Sequence, residues 1–237
     1  MAIQAKSLPS LSQKPTTRDY IASTLQDEII TGRYLPGQRL VERELAERFN
    51  VSSIPIREAL QVLETQGLVV KQPNRGCSVV DLSQAEIEQI CELREVLEPK
   101  VAEWAACRMT PEGALVLTDR MARLQAAAER IDLPAYYAAD IQFHRAIWEL
   151  SGNEYAARTL DTIVGALFAS GLRASRGVEL RSECEKHERL LRALVEGRPS
   201  DAGILLRNIA SGLRGQIRRY CVAASVTATS EQRREID

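Results

Sequence analysis

Histidine is nearly absent from this 237-residue chain: it has two, His144 and His187. Its five cysteines (Cys77, Cys91, Cys107, Cys184 and Cys221) are scattered and form no CxxC pair. That excludes a disulfide framework and a cysteine-based zinc site, and fits a reducing cytoplasmic setting. Excess charge of either sign is missing too, with 31 basic against 32 acidic residues. Bulk electrostatics therefore select no polyanionic partner, and any such site must be local. No apolar run is long enough to span a bilayer, and the N-terminus lacks the apolar stretch of a signal peptide. There is no HExxH, no glycine-rich phosphate loop and no GxSxG elbow, so the commonest hydrolase and nucleotide-binding signatures are excluded.

What remains is a chain that changes character near residues 80–83. Before that point there are 10 Lys/Arg against 8 Asp/Glu, and after it the balance turns acidic. Residues 1–15 and 228–237 are polar and read as flexible tails. Thr16 or Thr17 can cap a helix to about Ile30, stopped at Gly32, with a turn at Tyr34–Gly37. A short helix is expected at Glu42–Phe49. A second begins after the possible cap Ser52 and ends near Gln66-Gly67. The β-branched runs Leu68–Lys71 and Cys77–Val80 flank turn-forming residues and predict a hairpin. Three helices and a two-stranded wing make a winged helix-turn-helix over 16–81, its second pair of helices suited to a major groove.

Beyond Asp81 the pattern is helical, with about six segments and no convincing strand. Ser83-Gln84-Ala85-Glu86 is a capping box, and Thr110-Pro111 a helix start. The fold class is therefore mainly α, with an N-terminal winged helix-turn-helix and a C-terminal all-helical bundle over 82–227.

Helical periodicity selects polar residues that point into that bundle. With Asp140 at zero, His144 lies about 40° away, among Tyr136, Tyr137, Phe143, Ile147 and Trp148. Gln142, Arg145 and Glu149 take the opposite face. His187 is likewise framed by Leu180, Cys184, Leu190, Leu191 and Leu194. A buried aspartate beside two histidines is costly unless it is paired or binds a cation. Packed core histidines are the plain alternative. Arg94 falls in the stripe of Ile90, Leu97 and Val101, so its charge points inward. A buried guanidinium requires an anion, either a bound carboxylate or an internal partner such as Glu98.

The segment from Ile21 to Val80 resembles the DNA-binding domain of the GntR family. The landmarks are Pro36-Gly37, Leu40, Glu44-Leu45-Ala46, Val51-Ser52, Pro55, Arg57-Glu58-Ala59-Leu60, Leu63, Gly67-Leu68 and Arg75-Gly76. The later half resembles the FCD domain of the FadR-type GntR subfamily through Leu93–Pro99, Asp140–His144, Gly152-Asn153 and His187 with Leu190-Leu191. The resemblance implies a homodimeric, DNA-binding transcription regulator, a repressor by expectation, that senses a small carboxylic acid and is not an enzyme. It implies DNA contacts by Arg43, Ser52, Ser53, Arg57, Arg75 and Gly76 on double-stranded operator DNA. It also implies a divalent metal of zinc or nickel type on Asp140, His144 and His187, and effector contacts by Arg94, Asn208 and Gln216.

Two departures from the family pattern stand out. Ser53-Ile54 replaces the usual Arg-Thr, which removes a guanine-reading arginine and predicts an unusual operator. Gly212 stands where a third metal-binding histidine is expected, so the metal is expected to be weakly held or absent. An acyl-CoA or other larger effector bound without metal stays open beside the small acid.

Overall fold

A computed structural model describes residues 16–72, 76–171, 179–212, 214 and 215. Arg75 and Gln216, and the break expected at Arg176-Gly177, lie outside the described residues.

Helix α1 (Thr17–Ile30) starts where Thr16 accepts from the Asp19 amide while the Asp19 carboxylate accepts from the Thr16 amide, a reciprocal capping box. Helix α2 (Glu42–Phe49) ends at Asn50, whose left-handed φ of 53° an asparagine tolerates. Helix α3 spans Ser53–Thr65. Ser52 sits at its N-cap with extended backbone, but its side chain makes no capping bond. Ile56, Ala59, Leu60 and Leu63 of α3 bury against Ile21, Leu25 and Ile29 of α1. Each fully buried aliphatic side chain contributes about 1.5–3 kcal/mol.

The wing is larger than the two strands expected. β2 (Val69–Gln72) and β3 (Gly76–Val79) form the hairpin, and β1 (Arg39–Leu40) joins β3 on its other side, so the antiparallel order is β1-β3-β2. Leu40 pairs with Cys77 and Val70 with Ser78. A two-residue strand has no periodicity to read. It exists because β3 offers it an edge and because Leu40, 2% exposed, anchors in the core.

The second half contains α4 (Gln84–Cys107), α5 (Pro111–Glu129), α6 (Leu133–Leu150), α7 (Glu154–Gly171) and α8 (Leu180–Val195). Residues 199–212 add a further helix, α9. The Ser83–Glu86 capping box forms, Thr110 caps α5 with Pro111 at its first position, and Asp132 caps α6. Six helices after residue 82 are present among the described residues, and no strand. No described helix is long and apolar enough to cross a membrane. The α5–α6 pair packs most extensively, with α4 against α6 and α7, and α8 against α5 and α4. This arrangement turns the inner faces of α4, α6 and α8 toward one another.

Candidate functional site

The polar side chains expected to point inward do meet. Arg94 and Glu98 from α4, Asp140 and His144 from α6, and His187 from α8 are all buried. His187 Nε2 lies 2.9 Å from Asp140 Oδ1 and 3.4 Å from His144 Nε2, and His144 Nε2 lies 3.8 Å from Asp140 Oδ1. A point equidistant from the corners of such a triangle is about 2 Å from each, the bond length of a first-row divalent ion to nitrogen and oxygen.

The directions of these groups agree with that. Asp140 Oδ1 makes no hydrogen bond despite the 2.9 Å approach of His187. The three donor atoms all lie within 4.8 Å of one another, close enough to share one ion. His187 Nδ1 donates to the Glu183 carbonyl at 2.8 Å, which fixes the ring and directs Nε2 inward.

Electrostatics divide the two imidazoles. Burial pushes His144 down to about 3, so it is neutral near pH 7 and keeps a lone pair. Burial would also lower His187, but the Asp140 charge 2.9 Å away, together with the Glu183 carbonyl, raises it above the ordinary value. Burial opposes the charge on Asp140, yet His187, His144 and Arg94 outweigh it and hold the carboxyl below its usual range. The residues present therefore fit a divalent ion through one carboxylate and two imidazoles.

Arg94 is where the two sequence readings converge. Its Nε and Nη2 donate to Glu98 at 3.1–3.2 Å, so the internal partner is real. Its Nη1 is nevertheless buried with no partner. On α6, Tyr136 Oη, Asp140 Oδ1, His144 Nδ1 and Trp148 Nε1 are also buried and unpartnered, at successive four-residue steps. Residues one turn apart share a helix face, so one inner stripe of α6 carries a row of unused polar atoms, and the Arg94 charge acts on two of its residues, Asp140 and His144. Tyr136 was not singled out in the sequence as a site residue. Its four-residue spacing from Asp140 was the available signal.

The α9 assignments need correction. Asn208 is exposed on the outer face of α9 and cannot join the buried cluster. The inward stripe is Ala202, Leu206, Ile209 and Ala210. A Cβ on Gly212 would meet only Lys186 Nζ, at 3.9 Å. The expectation at Gly212 allowed for a long loop after α8. Only residues 196–198 separate the two helices, and Gly212 is half-buried beside Lys186 while Ile209, three residues earlier, is buried.

In the N-terminal half, the exposed face of α3 carries Ser52, Ile54, Arg57, Glu58 and Gln61. Arg57 Nε contacts Glu42 Oε2 of α2 at 2.6 Å, and Arg43 lies 3.8 Å from Glu47 with 85% of its side chain exposed. Ser53 is half-buried at the first position of α3. Gly76, at φ +83°, opens β3, where a Cβ would approach Arg39 Nη2 to 3.5 Å. Arg39 on β1 was not anticipated. It is an exposed cation beside the wing, brought there by the strand that the sequence did not reveal.

Residues 17–79 match the family described as bacterial regulatory proteins, gntR family, and residues 89–212 match the FCD domain. The chain belongs to the GntR family and carries an FCD domain. Similar proteins include the Nta operon transcriptional regulator of Aminobacter aminovorans, 30% identical over 68% of this chain and 74% of that protein. The transcriptional repressor RspR of Escherichia coli K12 is 30% identical over 59% of this chain and 61% of its own length. Less than two thirds of RspR is therefore covered. The solved structure of E. coli McbR/YncC shares the fold, with a TM-score of 0.74 at 23% identity over 86% of this chain and 99% of that one. This GntR protein is thus a DNA-binding transcription regulator, not an enzyme, and operator DNA is its implied partner.

Proposed function

We propose that this GntR regulator is a homodimeric repressor whose hold on its operator is set by a small carboxylate bound between α4, α6 and α8. Residues 16–81 bind DNA, and residues 82–227 bind the effector and dimerise. The observation that carries the reading is Arg94 Nη1, a buried cationic nitrogen with no partner, whose charge acts on Asp140 and His144 of a triad of metal donors. Asp140, His144 and His187 would hold the ion, which supplies a Lewis-acid centre for a carboxylate oxygen.

Charge supports a monoanion. A divalent ion and Arg94, set against Glu98 and Asp140, leave one positive charge in a buried space. A carboxylate neutralises it, with Arg94 Nη1 and Tyr136 Oη as hydrogen-bond donors. The enclosure favours a small effector, since no member of the triad exceeds 8% exposure and an acyl-CoA would require the bundle to open. The repressor sign follows the name of RspR. Effector binding shifts a two-state arrangement and alters the spacing of two winged helices on a pseudo-palindromic site.

The test combines metal analysis with gel shift. Purified protein is expected to retain a divalent ion that His144→Ala loses, and small sugar or organic acids are expected to release operator DNA. Unchanged DNA binding by metal-loaded protein across such acids would overturn the effector reading. So would an Arg94→Ala protein that remains folded and responds in full.

A further inference from the structure

We infer that Ile54 is a specificity-determining residue of this regulator and reads the methyl group of a thymine in the operator. The inference rests on DNA binding by α3, and names the base that its first turn selects.

The packing of α3 decides which residues are free. Ile56, Ala59, Leu60 and Leu63 are committed to the core against α1. The opposite face carries Ile54, Arg57, Glu58 and Gln61, spaced by three, four and seven residues from Ile54, so they form one exposed stripe. Ile54 is the second residue of the helix, and in helix-turn-helix proteins the N-terminal residues of the recognition helix meet the base edges.

Ile54 is 64% exposed. A branched apolar side chain on the leading turn of a groove-binding helix contributes nothing to the core of its own domain. The chemistry around it is narrow. Ser52 offers a hydroxyl not used in capping, and Ser53 is half-buried. Arg57, one turn on, is held to Glu42 at 2.6 Å. No cation or amide side chain stands in the first turn. An isoleucine has no hydrogen-bond donor or acceptor in its side chain, and the one apolar feature of the major-groove edges is the thymine 5-methyl. Its flanking hydroxyls suit adjacent phosphates, which would seat the helix end while Ile54 closes over the methyl.

The experiment separates this contact from operator binding itself. The full-length protein selects sites from a randomised duplex pool, and each thymine of the selected site is then replaced by uracil, which removes the methyl alone. The expected result is one or two positions per half-site where uracil weakens binding about fourfold, the value of one buried methyl-sized group. Ile54→Ala should bind the parent site more weakly and lose that uracil penalty, with an unchanged melting temperature because Ile54 lies outside the core. Equal affinity for every uracil-substituted site would overturn the inference while leaving operator binding in place. Retention of the full penalty by Ile54→Ala would overturn it as well. A pool that yields no preferred site would overturn it together with base-specific operator recognition.

Discussion

Gly165 of α7 lies directly beneath the backbone carbonyl of Gln66, at the end of the recognition helix: a Cβ at Gly165 would come within 2.6 Å of that oxygen. The contact is reciprocated one residue on, where a Cβ at Gly67 would stand 2.2 Å from the Thr162 carbonyl. Thr162 Oγ1 also donates to the Thr65 carbonyl at 2.9 Å. The C-terminal end of α3 thus rests on α7 at backbone distance. A second strut crosses nearby: Arg145, next to His144 on α6, bonds Asp161 of α7, and its guanidinium faces the Gln26 side-chain amide of α1. Movement of α6 at the buried cluster therefore has a short path to the DNA-binding helices.

Gly165→Ala is expected to push the two halves apart at this joint. The Gln66 backbone carbonyl cannot yield like a side chain, so the cost should be about 1–3 kcal/mol, as is typical of overpacking. In calorimetry this reads as a melting temperature lowered by a few degrees. Operator binding should survive, while its response to effector shrinks. A variant as stable and as responsive as the parent would show that the joint transmits nothing.

Arg94 and Glu98 should behave as a unit. Arg94→Ala leaves the Glu98 carboxylate buried without a cation, a situation that costs about 3–5 kcal/mol. Replacing both together, as Arg94→Met with Glu98→Leu, removes the unpaired charge and should recover much of that loss. Urea unfolding of the two single variants and the double variant measures the coupling directly. Additive losses would mean that the 3.1–3.2 Å contacts carry little energy.

These features differ in how far they could be read from the chain. The caps at Thr16, Ser83 and Thr110 are local chemistry, and so is the inward stripe of α6, since each needs only residues within one or two turns. The Arg94–Glu98 pair was visible as a four-residue spacing, but the unpartnered Nη1 was not, because orphaning depends on what the other helices fail to supply. The outward turn of Asn208 was not legible, because the register of α9 depends on the length of the connection after α8. β1 and the Gly67–Thr162 contact were invisible for a related reason: a two-residue strand and a long-range backbone approach leave no periodic signature.

A divalent ion that binds the folded protein alone stabilises it by linkage. At a free concentration one hundred times the dissociation constant the gain is about 2.7 kcal/mol. For a chain of this size that corresponds to a melting temperature raised by about 5–10 °C. Zinc or nickel added to chelator-treated protein should produce the shift, and Asp140→Ala or His187→Ala should abolish it. With three donors from the described residues, Asp140, His144 and His187, removal by chelator should be readily reversible. Equal shifts in the parent and in both variants would place the metal elsewhere.

Glu42 holds Arg57 Nε at 2.6 Å on the surface, so the DNA contact proposed for Arg57 requires it to share its guanidinium with that carboxylate. Such an exposed pair is worth at most about 1 kcal/mol, so phosphate can compete for the guanidinium. Arg57→Ala should weaken binding and reduce the slope of log affinity against log salt by about one, as for any lost phosphate contact. Glu42→Gln should act in the opposite direction, freeing Arg57 and removing a negative charge near the backbone. Binding then tightens most at low salt. Should Arg57 instead read a base, Arg57→Ala would relax sequence preference and leave the salt slope nearly unchanged. Titrations at three or four salt concentrations on one selected site and one scrambled duplex separate the two roles, because a phosphate contact weakens both duplexes alike and a base contact only the first.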